Sequence, residues 1–240
     1  MNCLITGASL GIGKHLAIKM ANLGYNLCLT YNKNRDLCEK VKEEIDNQFQ
    51  VKCLIVKCDL KKESDINNLI NIFKSEFDNI DVLINNASLS LDNLIYDKSK
   101  EEFMEVLEVN IVGTFLITKY ASKIMNKDGV IINMSSTDGI DTYSIYNIDY
   151  AVSKAGIIQL TKSLSLIFPD LRVITVAPNW VDTESTREMN EDYLQSELKR
   201  IGQKKLITKE EVCKEIIHII VDKNIKSGSL IRIEGENYES

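Results

Sequence analysis

Seven short apolar runs, spread over the whole chain and separated by stretches of helical periodicity, constrain this sequence more than any other feature. The runs cover residues 3–6, 27–31, 51–57, 82–84, 130–133, 172–176 and 230–233. They are nearly continuous in apolar residues, as strands covered on both faces must be, whereas a half-exposed antiparallel strand alternates with polar residues. Between them, residues 14–22, 36–48, 66–77, 103–125, 150–168 and 209–221 carry the spacing of amphipathic helices. Regular alternation of the two predicts an α/β fold, a doubly wound parallel sheet of about seven strands with helices on both faces. No Pro-, Gly- or Ser-rich linker and no repeat divides the chain. With 240 residues and 44% hydrophobic content one core suffices, and a single domain over 1–240 is expected.

Charge narrows the partners. A net charge of −6 with no long basic run gives no general attraction for phosphate backbones or anionic lipid, so neither nucleic acid nor membrane is expected. The apolar runs fall far short of the ~20 residues that span a bilayer. The opening MNCLITGASLGIG lacks the basic and apolar segments of an export signal, and a cytoplasmic location is expected. Six cysteines, at 3, 28, 38, 53, 58 and 213, form no Cys-x-x-Cys pair and read as reduced core thiols. His15 and His218 lack partners at ligand spacing, and no metal is expected.

Directly after the first run comes TGASLGIG, residues 6–13, which puts Gly7, Gly11 and Gly13 between a strand and a helix. Glycine lets backbone amides approach a pyrophosphate, and the following helix offers unpaired amides and the positive end of its dipole. A tight turn without a ligand would use the same residues. The Gly-x-x-x-Gly-x-Gly spacing resembles that of the short-chain dehydrogenase/reductase family. Further matches follow in the family's order: CDL at 58–60, NNAS at 85–88, Asn110, SSTDG at 135–139, YAVSK at 150–154 and PNWVDT at 178–183.

The resemblance implies a Rossmann-like fold and a nicotinamide dinucleotide held by Gly7, Ser9, Leu10, Gly11, Ile12 and Gly13 of the turn. It further implies Asp59 and Leu60 beside the adenine, Asn86 and Ala87 beside the adenosine ribose, and Val181 and Thr183 at the nicotinamide carboxamide. Asp59 could equally cap the next helix, and Asn85 could tie neighbouring turns together. The second strand runs into Asn32, Lys33, Asn34 and Arg35 with no carboxylate before Asp36, which favours NADP(H) over NAD(H). Leu10, however, stands where NADP-using relatives often carry a basic residue.

Tyr150 and Lys154 lie four residues apart on a helical stretch, so their side chains leave one face. The resemblance makes Tyr150 the proton donor to a carbonyl that receives hydride, with Ser136 hydrogen-bonding the same oxygen. Lys154 is then expected to favour the phenolate and grip the nicotinamide ribose, and Asn110 to hold a water leading to solvent. Ser135 and Ser136 alternate to opposite faces, and the serine followed by two residues and a glycine is Ser136. Three departures from the family pattern stand out: Ser88 for glycine in NNAS, Asn179 for glycine after Pro178, and Trp180 beside the carboxamide contacts. Asn179 is tolerable because asparagine accepts positive φ better than most residues.

Residues 91–115 most resemble bacterial 3-oxoacyl-acyl-carrier-protein reductases, as does the ending SGSLIRIEGE. This implies NADPH-dependent reduction of a 3-oxoacyl thioester on acyl carrier protein, in fatty acid synthesis. Basic residues expected beside the active-site entrance, suited to an acidic carrier, are Lys123, Lys127 and Arg172, with Lys199, Arg200, Lys204 and Lys205 on the polar segment 182–205. Alternatives are a dehydrogenase of a free small ketone, sugar or steroid, or a catalytically silent dinucleotide sensor. Residues 182–205, polar and without a strand pattern, are expected to close over substrate as a lid or to stand as an exposed helical hairpin. The resemblance also implies a homo-oligomer, a tetramer or dimer, through helices 103–125 and 150–168, whose apolar positions exceed one buried stripe.

Overall fold

A computed structural model describes residues 1–142 and 144–235. Each of the seven apolar runs forms a strand: β1 (Asn2–Ile5), β2 (Asn26–Tyr31), β3 (Cys53–Lys57), β4 (Ile80–Asn85), β5 (Met125–Met134), β6 (Arg172–Pro178) and β7 (Leu230–Ile233). The helices are α1 (Gly11–Asn22), α2 (Arg35–Gln48), α3 (Glu63–Phe77), α4 (Lys100–Leu107), α5 (Thr114–Ala121), α6 (Ile148–Ile167), α7 (Glu184–Arg187), α8 (Glu191–Arg200) and α9 (Lys209–Val221). The strands pair in parallel in the order β3-β2-β1-β4-β5-β6-β7.

Side chains alternate across a strand, so each continuous apolar run feeds two cores at once. On one face Cys3, Ile5, Leu27, Leu29, Val82 and Ile84 pack with Leu16 of α1, Val41 of α2 and Ile216 of α9. On the other, Leu4, Cys28, Leu83 and Ile131 pack with Phe73 of α3, Ile117 of α5 and Leu164 of α6. Two helices owe their starts to reciprocal caps, Ser99 with Glu102 for α4 and Thr208 with Glu211 for α9. All six cysteines are free and buried. Burial pushes the Cys38 thiol up to about 11 and those of Cys53, Cys58 and Cys213 up to about 12, which keeps them inert.

The chain departs from the sequence-based expectation in two places, the helix over 103–125 and the basic residues expected beside the site entrance, while residues 182–205 match the helical alternative. The helix expected over 103–125 is broken by a π-helical turn, Glu108–Gly113, and its last residue, Met125, already belongs to β5. A π turn takes one more residue than an α turn, so the apolar spacing slips by one position there, and a slip confined to six residues is too short to read as a change of period. Gly113 is needed there, since a Cβ would come within 2.8 Å of Leu60 Cβ. Residues 182–205 hold α7 and α8, capped by Thr183 and Asn190 and anchored through buried Leu194, Leu198 and Gln203. Finally, Lys123, Lys127 and Arg172 lie at the amino-terminal edge of the sheet, before or at the start of β5 and β6. Arg172 is spent on the carbonyls of Ile219, Ile220 and Asp222, closing the end of α9.

No helix among the described residues is long and apolar enough to cross a membrane, and no group of three or more His, Cys, Asp or Glu side chains converges as a metal site. Glu236, the last residue of the SGSLIRIEGE ending, lies outside the described residues.

Candidate active site

The strand order reverses at β1, which lies between β2 and β4, and a crevice opens at the carboxyl ends of the strands there. The turn from β1 to α1 is sewn to the end of β4. Thr6 Oγ1 accepts the amides of Asn86 and Ala87, both at 3.0 Å, while Asn86 Nδ2 donates to the carbonyls of Thr6 at 3.0 Å and Gly7 at 2.9 Å. Gly7 has a φ of +65°, and a Cβ on it would lie 2.8 Å from Ala87 Cα; one on Gly13 would lie 2.3 Å from the Gly7 carbonyl oxygen. These glycines allow an approach that no side chain permits.

Gly11 closes the turn, and its amide donates to Glu184 Oε2 at 3.0 Å. The other oxygen of Glu184 accepts from Lys209 Nζ at 2.9 Å. Burial works to raise this carboxyl, but the hydrogen bonds from Lys209 and Gly11 outweigh it and hold it below the usual carboxylate range. A carboxylate seated at the start of α1 shows that the turn receives negative charge, as a pyrophosphate site must. Around it, Ser9 acts to lower the Cys38 thiol against its burial, Leu10 is the extended residue before α1, and Ile12 lines the cleft.

The remaining cofactor candidates are distributed along the same edge. Asn32, Lys33 and Arg35 are exposed beyond β2, with Arg35 Nε donating to Glu39 at 2.8 Å. Asp59 accepts the Lys61 amide at 3.1 Å in a local turn, and Leu60 is buried beside the π turn. Asn85 Nδ2 donates to Thr118 and Asn133 in the core, tying the end of β4 to α5 and β5. Val181 is buried and bridged to Ile207, and Thr183 caps α7.

Tyr150 and Lys154, on the first two turns of α6, face a cleft of about 640 Å³ that is also lined by Ser136, Ile12, Asn86, Val181 and Thr183. Ser136 lines the cleft with Tyr150 and opposes the upward shift of its phenol, and Ser136 Oγ accepts the Asp138 amide at 3.1 Å. Ser135 faces the other way, donating to the Lys154 carbonyl at 2.8 Å. Lys154 Nζ donates to the Met134 carbonyl at 2.9 Å and stands over the Tyr150 ring, 5.1 Å from its centroid.

The ionisation of this pair runs against expectation. Burial, reinforced by the Asp138 charge and opposed by the Ser136 hydrogen bond, raises the Tyr150 phenol above its ordinary range. Burial lowers Lys154 to about 8, with Asp138 opposing. Each group loses more from leaving water than it gains from the other's charge. Tyr150 is thereby held as O–H, the form that donates.

Asn110 sits in the π turn, buried behind the cleft. Its Oδ1 accepts the Leu89 amide at 2.8 Å, and its Nδ2 donates to the Leu89 carbonyl and to Ser153 Oγ, both at 2.9 Å. Both donors and one lone pair are committed, so the water expected there would have to use the lone pair that is left. Of the three departures, Ser88 lines the cleft. Asn179 accepts from Thr137 Oγ1 at 3.1 Å and needs no left-handed backbone, since the positive-φ non-glycine residues among those described are Asp78 and Asp128. Trp180 is pinned by Gln203, which bonds both its amide and its carbonyl.

Sequence reasoning missed Glu184, Asp138 and the buried pair Lys98–Asp149. Asp138 was in view within SSTDG, where only spacing was used; its place facing Tyr150 follows from the short 3₁₀ turn Thr137–Gly139. Glu184 and Lys98 reach their partners across 173 and 51 residues, a separation that carries no local signal.

The sequence matches the family model of the short chain dehydrogenases over residues 1–194. It is 32% identical over 237 residues to the 3-oxoacyl-[acyl-carrier-protein] reductase of Aquifex aeolicus, covering 97% of this chain and 95% of that one. Identity to the enzyme of the same name from Staphylococcus epidermidis is 29%, over 99% and 98%. A short-chain dehydrogenase/reductase mutant from Serratia marcescens superposes with a TM-score of 0.91 at 25% identity, over 98% and 96% of the two chains. A short chain dehydrogenase from Burkholderia cenocepacia in complex with NADP gives the same score at 21% identity, covering 97% and 96%. With the glycine turn, the serine and the Tyr-x-x-x-Lys helix meeting at one sheet edge, the chain belongs to the short-chain dehydrogenase/reductase family of oxidoreductases.

Proposed function

We propose that this protein is an NADPH-dependent reductase of a 3-oxoacyl thioester carried on acyl carrier protein, with Tyr150 as proton donor. The observation that carries the chemistry is Tyr150, kept protonated by burial, in the same cleft as Ser136 and Lys154. The glycine turn fits a dinucleotide: Gly7 and Gly13 leave backbone where a Cβ would collide, and the Gly11 amide already receives an anion. Asp59, Leu60, Asn86 and Ala87 would flank the adenosine end, and Val181 and Thr183 the nicotinamide end. The bound cofactor supplies hydride to the carbonyl carbon. As negative charge grows on the carbonyl oxygen, Ser136 donates a hydrogen bond to it and Tyr150 gives up its proton. The Lys154 ammonium, beside the ring, offsets the phenolate that results.

NADPH over NADH is supported by the exposed Lys33 and Arg35 beyond β2 and the absence of a carboxylate before Asp36. The thioester is supported by the near full-length resemblance to 3-oxoacyl-[acyl-carrier-protein] reductases. We place the enzyme in the cytoplasm, where six buried thiols stay reduced. Residues 182–205 would act as the lid, since α7 supplies Glu184 to the glycine turn. Association of like subunits would use the exposed face bearing Val112, Phe115, Ile148 and Val152. One observation favours a second reading: Asp92, Asp138 and Glu188 line the cleft, which suits a small hydroxylated ketone or sugar.

The test is oxidation of NADPH and of NADH by purified protein with an acetoacetyl thioester, beside hydroxylated ketones. Thioester-dependent oxidation with NADPH preferred is expected, and oxidation only with the ketones would move the assignment to the second reading. Tyr150→Phe should keep cofactor affinity and lose at least ~100-fold in turnover. Undiminished turnover would remove Tyr150 as the acid, and no turnover in wild type with any carbonyl would leave a dinucleotide sensor.

A further inference from the structure

Asp149, one residue before Tyr150, and its partner Lys98 are both withdrawn from solvent, with side-chain exposures of 0% and 3%. Two buried charges are no better for stability than two well-packed apolar residues, because desolvation consumes most of their attraction. Their geometry points to another use. Lys98 Nζ donates to Asp149 Oδ2 at 2.9 Å and also to the Leu91 carbonyl. Asp149 Oδ1 accepts the Tyr150 amide at 2.9 Å.

The other backbone group of Tyr150 is held in parallel fashion. Its carbonyl accepts from Ser153 Oγ at 2.7 Å, and Ser153 Oγ accepts in turn from Asn110, which clasps both backbone groups of Leu89. Both lines of contact therefore run from Tyr150 through buried side chains to one segment, residues 89–98. That segment forms a wall of the cleft through Leu89, Ser90 and Asp92.

We propose that Lys98 and Asp149 are positioning residues that fix the first turn of α6, and with it the Tyr150 phenol, against the cleft wall. The proposal rests on Tyr150 being the proton donor. A charged pair suits this task better than an apolar one because its hydrogen bonds have direction: the ammonium addresses the wall, and the carboxylate addresses the helix. Without it, the phenol is free to drift relative to the bound carbonyl, and a misplacement of ~1 Å costs on the order of 100-fold in rate.

Lys98→Met alone leaves a buried carboxylate unpaired and is expected to unfold the protein, so the informative variant is the neutral Lys98→Met/Asp149→Asn, which strands no charge. Three readouts are taken on the full chain: amide hydrogen exchange over 148–153, the dissociation constant for NADPH, and kcat and KM with an acetoacetyl thioester. Exchange over 148–153 should quicken at least ~10-fold while β4 and β5 are unaltered. Turnover should fall ~30-fold or more, with KM and cofactor affinity within about twofold. Added to Tyr150→Phe, the double change should cost nothing further, as for residues that act through one another. A folded double variant with unaltered exchange and turnover would overturn the proposal, as would a full additional loss on top of Tyr150→Phe. If Tyr150→Phe itself turns over normally, the proton-donor assignment fails instead. The exchange data then still report whether the pair holds the helix.

Discussion

The buried ammonium of Lys154 is a cost to the fold. Its proton affinity falls to about 8 from the ~10.4 of an open chain, a penalty on the order of 3 kcal/mol while both states carry the charge. Below pH 8 the folded protein bears that penalty in full. Between pH 8 and ~10.4 the folded state releases the proton while the unfolded state keeps it, so this group's contribution to stability rises with pH across that window. Lys154→Met should therefore raise the midpoint of thermal denaturation at pH 7 by roughly 5 °C, after allowing for the lost hydrogen bond to Met134, while turnover is lost. The gain should shrink towards pH 10, and a midpoint that falls at pH 7 would contradict the assignment of cost. The sequence showed that Tyr150 and Lys154 share a face, because helix spacing is local. It did not show which of the two would be perturbed more, since their shifts come from surrounding burial and from Asp138.

Among the elements, the strands were the most legible, because burial on both faces leaves one continuous apolar run per strand; the comparable run Ile216–Val221 is told apart by its place at the end of a longer helical pattern. The π turn at Glu108–Gly113, which holds buried Asn110, was not legible, because a one-residue slip confined to six residues leaves too little sequence in which to read a change of period. The excess of apolar residues around Phe115 was legible as a number, but only the structure separates buried Ile117 from Phe115, 41% exposed. Val112 of the π turn and, on α6, Ile148 and Val152 are exposed likewise. If like subunits meet there, Phe115→Asp should convert the assembly to smaller species by sedimentation velocity without altering far-UV circular dichroism. An unchanged sedimentation coefficient would place the interface elsewhere.

At the scale of the molecule, the layered fold brings the first residues of the chain against its last third. Their meeting point at Gly11 and Glu184 is the feature least accessible to sequence reasoning. The carboxylate seated on Gly11 stands where the phosphates of a dinucleotide would receive that amide, and it is tied to Lys209 at the start of α9. Glu184→Gln weakens the occupant without removing a residue from the turn, and NADPH should bind about 3- to 10-fold tighter to it in a fluorescence titration. Weaker binding would show that Glu184 instead assists the cofactor. The protein thus carries a tethered anion of its own at the start of α1. If the cofactor's phosphates take the Gly11 amide, loading exchanges one negative group for another, and the displaced carboxylate would carry the change to α7 and, through Lys209, to α9.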